Sequence, residues 1–179
     1  MKRNNSILII IVFMLAALVA CQVEEQPNIQ EQLEVKTEIK LVEAVPGDSV
    51  NTAGMTLLRE FSNDLDLDGT EEKIELYTAA GRNEKGEMIW DDGQNWVLAV
   101  RDGELAYPLL SQFVQLGVVH FAVSNNGERQ IPNITVMVPT GASFIIKGYT
   151  FDKDKAGFQE QLLYKSEDDN WIYSSIPNY

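Results

Sequence analysis

The residues from Asp64 to Glu75 have the composition and the spacing of a cation-binding loop. Acidic side chains occupy loop positions 1, 3, 5, 9 and 12, and Gly69 occupies position 6, where such a loop turns sharply. Alternate residues of a tightly curled loop point inward, so we expect the carboxylates of Asp64, Asp66 and Asp68 to converge on one centre. Carboxylate oxygens are the ligands that hard divalent cations take in proteins. The chemistry predicted for this segment is therefore the coordination of a metal ion.

The residues that flank the loop indicate which kind of loop it is. The pattern Asp-x-Asp-x-Asp-Gly with an acid six residues later is that of an EF-hand, but an EF-hand needs a helix on each side. Here Ile74-Glu75-Leu76-Tyr77 alternates like a strand, so Glu75 is expected to point outward. The loop therefore more closely resembles the calcium loops of FG-GAP and VCBS-type extracellular repeats, which connect two strands of a small sheet.

This resemblance covers residues 63–77 in a single copy, and it implies both an ion and a ligand set. The ion is calcium, which is favoured over magnesium because every ligand is an oxygen supplied by the protein. Thr70 and Leu67 depart from the family, in which a second Asp or Asn and a polar spacer are frequent. The implied ligands are the backbone carbonyl of Thr70 and the side chains of Asp64, Asp66, Asp68 and Glu72. The alternative is a solvated acidic turn without an ion, because Asp and Gly are ordinary turn residues.

The N-terminal residues have the features of a bacterial export signal. Lys2 and Arg3 precede an apolar run from Ile7 to Ala20, which is shorter than the roughly 20 residues of a membrane span. The run ends in Leu18-Val19-Ala20-Cys21, which resembles the lipobox of bacterial lipoproteins. The resemblance implies a signal peptide over residues 1–20 and a lipid on Cys21. The alternative is a simple cleaved signal with a chance Cys beside it.

The lipobox also implies where the protein resides and how the next segment acts. A lipid on Cys21 would anchor the protein to the outer face of the bacterial cell membrane, and Gln22 would permit sorting to an outer membrane. Residues 22–49 are rich in Glu, Gln and Asn and contain no aromatic residue, which is typical of a flexible tether. Within this acidic tether, residues 30–42 fit either a marginal helix or a first strand.

Composition excludes several classes of partner and of site. The chain has 14 Lys and Arg against 27 Asp and Glu, a formal net charge of −13, so nucleic acid is not an expected partner. Its single Cys excludes an internal disulfide, and its single His excludes a multi-histidine metal site. His120 lies within an apolar run, and we interpret it as a structural residue rather than a catalyst.

Short strands separated by turn residues dominate the remainder of the chain, residues 50–179. We expect a single, mostly β domain: an antiparallel sandwich or open barrel of about eight short strands with at most one or two short helices. The candidates for a helix are residues 109–116 and 157–164, and the last predicted strand is Trp171-Ile172-Tyr173. The pair Asp152 and Asp154 is interpreted as a turn.

A second possible ligand surface consists of Trp90, Asp91, Asp92 and Trp96, because aromatic faces and polar side chains together can bind a sugar. The favoured interpretation is a β-turn with Trp96 in the core and Trp90 half covered. Asp91 or Asp92 could also lie beside the acidic loop.

Two hypotheses of function follow from these features. The first is a membrane-anchored, calcium-stabilised binding or interaction module, expected to be a monomer with an unknown protein or glycan ligand. The second is a carbohydrate-active or other hydrolytic enzyme that uses an acidic pair. We favour the first, because no pair of carboxylates is singled out for catalysis.

Overall fold

The computed structural model describes residues 39–127 and 129–166. The predicted signal peptide, the lipid site Cys21, most of the tether and the predicted strand Trp171-Ile172-Tyr173 lie outside these residues. The described part of the chain forms the strands β1 (Lys40–Glu43), β2 (Val45–Pro46), β3 (Thr56–Asn63), β4 (Glu72–Thr78), β5 (Gly93–Asp102), β6 (Leu105–Gln115), β7 (His120–Asn126), β8 (Arg129–Pro139), β9 (Phe144–Asp152) and β10 (Gly157–Lys165).

Two antiparallel sheets of five strands form a sandwich, as expected from the strand-rich sequence. One sheet has the order β1-β10-β9-β8-β7, and the other has the order β2-β6-β5-β4-β3. The short strands β1 and β2 follow each other in the chain but belong to different sheets. The opposite edges of the two sheets are β7 and β3.

The core lies between the two sheets and is built from alternating residues. In β4, for example, Ile74 and Leu76 are fully buried while Lys73 is exposed. The ring of Tyr107 on β6 meets Phe158 on β10 and Phe151 on β9 edge-on, with centroid distances of 5.1 and 5.9 Å. These contacts join the inner faces of the two sheets, because β6 belongs to one sheet and β9 and β10 to the other.

A hydrogen bond across the sandwich supplements this apolar packing. The hydroxyl of Tyr149 on β9 is 2.8 Å from the carbonyl oxygen of Leu109 on β6 and 3.0 Å from Glu160 Oε2. Leu109 is the extra residue of a β-bulge, since the register moves from Leu98 opposite Leu110 to Ala99 opposite Pro108. The Tyr149 side chain is fully buried, and burial together with the neighbouring Glu160 charge raises its pKa well above the ordinary value.

The two candidates for a helix within residues 50–179 belong to strands: 109–115 lie in β6, and 157–164 lie in β10. The bulge in β6 buries the consecutive residues Leu109 and Leu110, and this doublet interrupts the strict alternation by which a strand is recognised. Residues 157–164 belong to β10. Within the described residues the only helical element is a short 3-10 turn, Gly47–Ser49, and no helix there is long and apolar enough to cross a bilayer.

The sheets also begin earlier than the predicted domain boundary at residue 50. Strands β1 and β2 lie inside the segment expected to be a tether, and β1 pairs with residues 157–160 of β10. Val42 is 7% exposed and belongs to the core. This part of the segment therefore packs in the domain, although its acidic composition is typical of a tether.

Candidate metal centre

The predicted cation loop connects β3 to β4 at one end of the sandwich. Asn63 at the end of β3 pairs with Glu72 at the start of β4, so residues 64–71 form the connection. Leu65 is fully buried, so its side chain packs in the core and holds the loop against the sandwich. Leu67 and Gly69 have positive φ angles of 61° and 96°. These two left-handed residues allow the chain to curl within a few positions.

The curled loop brings four carboxylates together. One oxygen from each of these residues lies within 4.8 Å of the others, which defines the acidic cluster: Asp64, Asp66, Asp68 and Glu72. Such a set of oxygens could hold a metal ion.

Backbone amides of the same loop orient three of these carboxylates. The N–H of Asp68 donates to Asp64 Oδ1 at 3.1 Å and to Asp66 Oδ1 at 2.9 Å. The N–H of Gly69 donates to Asp64 Oδ2 at 3.1 Å, and that of Thr70 donates to Asp68 Oδ1 at 2.7 Å. The loop therefore fixes the acidic side chains by local hydrogen bonds, while its backbone carbonyl at Thr70 stays a predicted ligand.

Glu72 differs from the three aspartates because it is buried. Only 3% of the residue is exposed, on the inward face of β4 beside Ile74, and Oε2 accepts a 2.7 Å hydrogen bond from the Leu65 N–H. Burial raises its pKa, and the charges of Asp66, Asp102 and Asp68 raise it further. The pKa of Asp66 is raised as well, first by burial and then by its acidic neighbours.

Glu75 points away from the cluster, as the alternation of β4 predicts. Its Oε2 accepts hydrogen bonds from Arg101 Nε and from the Tyr77 hydroxyl, both at 3.0 Å. The ion pair with Arg101 compensates the charge of Glu75 on the outer face of the sheet. The carboxylate at the twelfth position of the loop, that of Glu75, is therefore bound by Arg101 and Tyr77 and does not join the other acids.

No comparable compensation exists for the acidic cluster within residues 39–127 and 129–166. None of the ion pairs there includes a member of the cluster. Lys153 on the β9–β10 turn approaches the loop, but its Nζ donates to the Leu67 carbonyl oxygen, at 3.2 Å, and not to a carboxylate of the cluster. Four converging carboxylates thus lack a cationic side-chain partner in the part of the chain described.

A further acidic residue, Asp102, lies beside the cluster and was missed by sequence reasoning. Its charge raises the pKa of both Asp66 and Glu72. In the sequence Asp102 stands before Gly103, a pair that is typical of a hairpin turn and indicates no ligand. Its position follows from the register of β4 and β5, which pairs Lys73 with Arg101, and nothing in the local sequence indicates that pairing.

The second candidate surface is divided between the core and the solvent. Trp96 is fully buried and stacks on Trp90, with centroids 6.0 Å apart and planes 12° from parallel. Trp96 therefore cannot offer a face to a sugar, which agrees with its interpretation as a core residue. Asp91 and Asp92 are exposed, but they precede the end of β5 that pairs with Thr78, so they lie at the opposite end of β4 from Glu72.

The other residues singled out are structural. His120 is half-buried, and burial together with the charge of Arg59 lowers its pKa, which favours the neutral imidazole. Asp152 and Asp154 belong to the β9–β10 turn, where Asp152 Oδ1 accepts from the Asp154 N–H at 3.0 Å. An open depression of about 550 Å³ lies beside the 3-10 turn and is lined by Pro46, Gly47, Asp48, Arg101, Gly103 and Glu104.

Comparison with known proteins adds no family to this description. No family model, no curated protein and no solved structure matches the chain. The features of the chain that bear on its function are therefore the acidic cluster and the sequence that precedes the sandwich.

Proposed function

We propose that this chain is a lipid-anchored extracytoplasmic lipoprotein whose β domain binds calcium and serves as a binding or interaction module. The observation that carries the proposal is the convergence of Asp64, Asp66, Asp68 and Glu72 within 4.8 Å. The anchor would be Cys21, which holds the domain at the outer face of the membrane by its acyl chains.

Calcium suits this cluster better than other common cations. All four side chains supply hard oxygen ligands, and Ca²⁺ takes six to eight oxygens at about 2.3–2.6 Å in flexible geometry. Carboxylates that bind through both oxygens, together with the Thr70 carbonyl, would reach that number. Mg²⁺ demands a smaller octahedral cage and gives up its water reluctantly.

The role of the ion in this proposal is to stabilise the fold. The loop joins the strand β3 to β4 and places Leu65 in the core, so its conformation is coupled to the packing of the sandwich. Without a cation, four carboxylates repel each other and one of them is almost completely buried. An ion that binds only the folded state stabilises it by mass action.

A titration of thermal stability tests the proposal. Calcium should raise the melting temperature of the protein, and magnesium at the same concentration should raise it less. Asp66→Asn removes one ligand charge from the cluster and should remove most of the calcium effect. Asp92→Asn is the matched control, since Asp92 is exposed at the other end of the sheet. Equal responses to calcium in the two variants would contradict the metal site.

A further inference from the structure

Asp102 lies at the end of β5, on the same face of the sheet as Glu72. Strands β4 and β5 pair Lys73 with Arg101, and the next residues along them in this register are Glu72 and Asp102. Residues that face each other across antiparallel strands project to the same side, with Cβ atoms about 5 Å apart. Glu72 is on the inward face of β4, so Asp102 projects inward beside it and next to the acidic cluster.

Tyr107 is a buried polar residue on the same inward face. It lies on β6 opposite Val100, and Val100 is two residues before Asp102 on β5. Only 5% of Tyr107 is exposed. Among the described residues no hydrogen bond of the Tyr107 hydroxyl is formed, in contrast to the hydroxyls of Tyr77 and Tyr149.

The hydroxyl of Tyr107 lies near the carboxylates of the loop and the hairpin. Burial raises the pKa of Tyr107, and the charges of Asp102, Asp66 and Glu72 raise it further, which agrees with the positions that the strand register gives these residues. A buried hydroxyl without a hydrogen-bond partner is unfavourable, and a ligand beside it would remove that cost. This observation points to a ligand independently of the acidic spacing in the loop.

We propose that Asp102 and Tyr107 belong to the cation site, where they hold a water molecule that is one of the ligands of the ion. This inference rests on the proposed calcium site. Asp102 is not among the four residues whose oxygens meet within 4.8 Å, so its carboxylate lies one layer outside them. The water donates a hydrogen bond to Asp102 and is also hydrogen-bonded to the Tyr107 hydroxyl. Groups in such an outer layer orient the ligands of a metal ion.

The hydrogen bonds of the loop leave room for this water. The Leu65 N–H already donates to Oε2 of Glu72 at 2.7 Å, which favours binding of the ion by the other oxygen alone. Each carboxylate that binds through one oxygen leaves a position among the six to eight ligands of Ca²⁺ for water. Glu72 is the member of the cluster directly opposite Asp102, so the open position lies on the side of Asp102 and Tyr107.

These two residues would change both the affinity of the site and what the ion stabilises. Asp102 adds a negative charge, and the charge count around an ion tunes the affinity of calcium sites. Asp102 also links the ion to the β5–β6 hairpin. The ring of Tyr107 contacts Phe151 and Phe158, so the same water links the ion to the opposite sheet.

Calorimetric titration of the full chain with calcium tests the role of Asp102. Asp102→Asn keeps a residue pair, Asn-Gly, that suits the hairpin turn as well as Asp-Gly does. Loss of one charge about 6 Å from a divalent ion weakens binding by about tenfold even at the dielectric constant of water. Glu104→Gln is the matched control, because Glu104 is exposed in the same hairpin; its affinity should change less than about twofold. Equal affinities of the two variants would overturn the inference.

Thermal unfolding separates a ligand role of Asp102 from a structural one. In chelator Asp102→Asn should melt at a higher temperature than the native protein, because it removes one of several charges that repel each other. In saturating calcium the order should reverse. A variant that melts below the native protein in both conditions would show that Asp102 is structural and would contradict its place in the site.

Tyr107→Phe tests the hydroxyl while it keeps the ring in the core. Its calcium affinity should fall by about threefold to tenfold, the value of one hydrogen bond. In the native protein labelled at its tyrosine rings, the NMR signals that Tyr107→Phe removes should shift when calcium binds. The signals of Tyr77 should not, since its hydroxyl donates to Glu75 on the outer face. Calcium binding without a shift of the Tyr107 signals would overturn the inference alone. No calcium binding by the native protein would overturn the proposed function together with it.

Discussion

Glu72 is the residue at which the metal hypothesis makes its sharpest prediction, because it is both buried and part of the acidic cluster. Glu72→Gln keeps the shape of the side chain and an oxygen for the Leu65 N–H, but it removes a ligand charge. At a free calcium concentration 100 times the dissociation constant, the native protein gains about 2.7 kcal/mol. For a chain of this size that gain corresponds to about 10 °C in melting temperature. We expect Glu72→Gln to lose most of it.

The same substitution should change how stability depends on pH. Burial raises the pKa of Glu72 in the folded protein above its ordinary value of 4.5, so without calcium the folded state binds more protons there than the unfolded state. The contribution of Glu72 is therefore fully present below pH 4.5 and is lost as the pH rises through the raised folded value. In saturating calcium the ionised carboxylate is favoured, and the sign of this contribution reverses.

Thermal unfolding in chelator and in calcium, between pH 4 and 8, measures both effects. Glu75→Gln is the matched control: it lies three residues along the same strand, but its carboxylate pairs with Arg101 instead of joining the cluster. That variant should keep the whole calcium shift. A Glu72→Gln protein that retains the calcium shift would refute the coordination argument. A pH dependence in chelator identical to that of the native protein would refute the raised pKa of Glu72.

Three further predictions address the loop anchor, the cross-sheet hydrogen bond and the lipid. Leu65→Ala should cost about 2–5 kcal/mol in denaturant unfolding, because it empties a fully buried site, and should also weaken calcium binding measured by calorimetry. Normal calcium affinity would show that the loop does not need its anchor. Tyr149→Phe should cost about 1–3 kcal/mol, because it leaves the Leu109 carbonyl without its 2.8 Å donor; a loss below about 0.5 kcal/mol would argue against that bond. Cys21→Ser should abolish lipidation in a bacterial host, so an unchanged mature mass and detergent partitioning would contradict the lipobox hypothesis.

The sequence alone predicts the class of fold and the membership of the acidic cluster, because both depend on short-range patterns. Period-two alternation and regularly spaced turn residues indicate strands wherever they occur, and they predicted the β domain that the structure confirms. Three acids at alternate positions before Gly69 converge because of the local curl of the backbone. The outward direction of Glu75 follows likewise from alternation within one strand.

Only the tertiary structure decided the features that depend on which strands are neighbours. The bulge at Leu109 leaves two consecutive residues buried, Leu109 and Leu110, and this doublet made a strand resemble a helix in the sequence. Strand register and sheet packing bring two distant residues to the acidic loop. Asp102 is 36 residues from Asp66 in the chain, and Lys153 is 86 residues from Leu67. The pKa of a group in a site depends on its burial and on all the charges that lie near it in space. The pKa shifts of Asp66 and Glu72 therefore could not be assigned until the two sheets were in place.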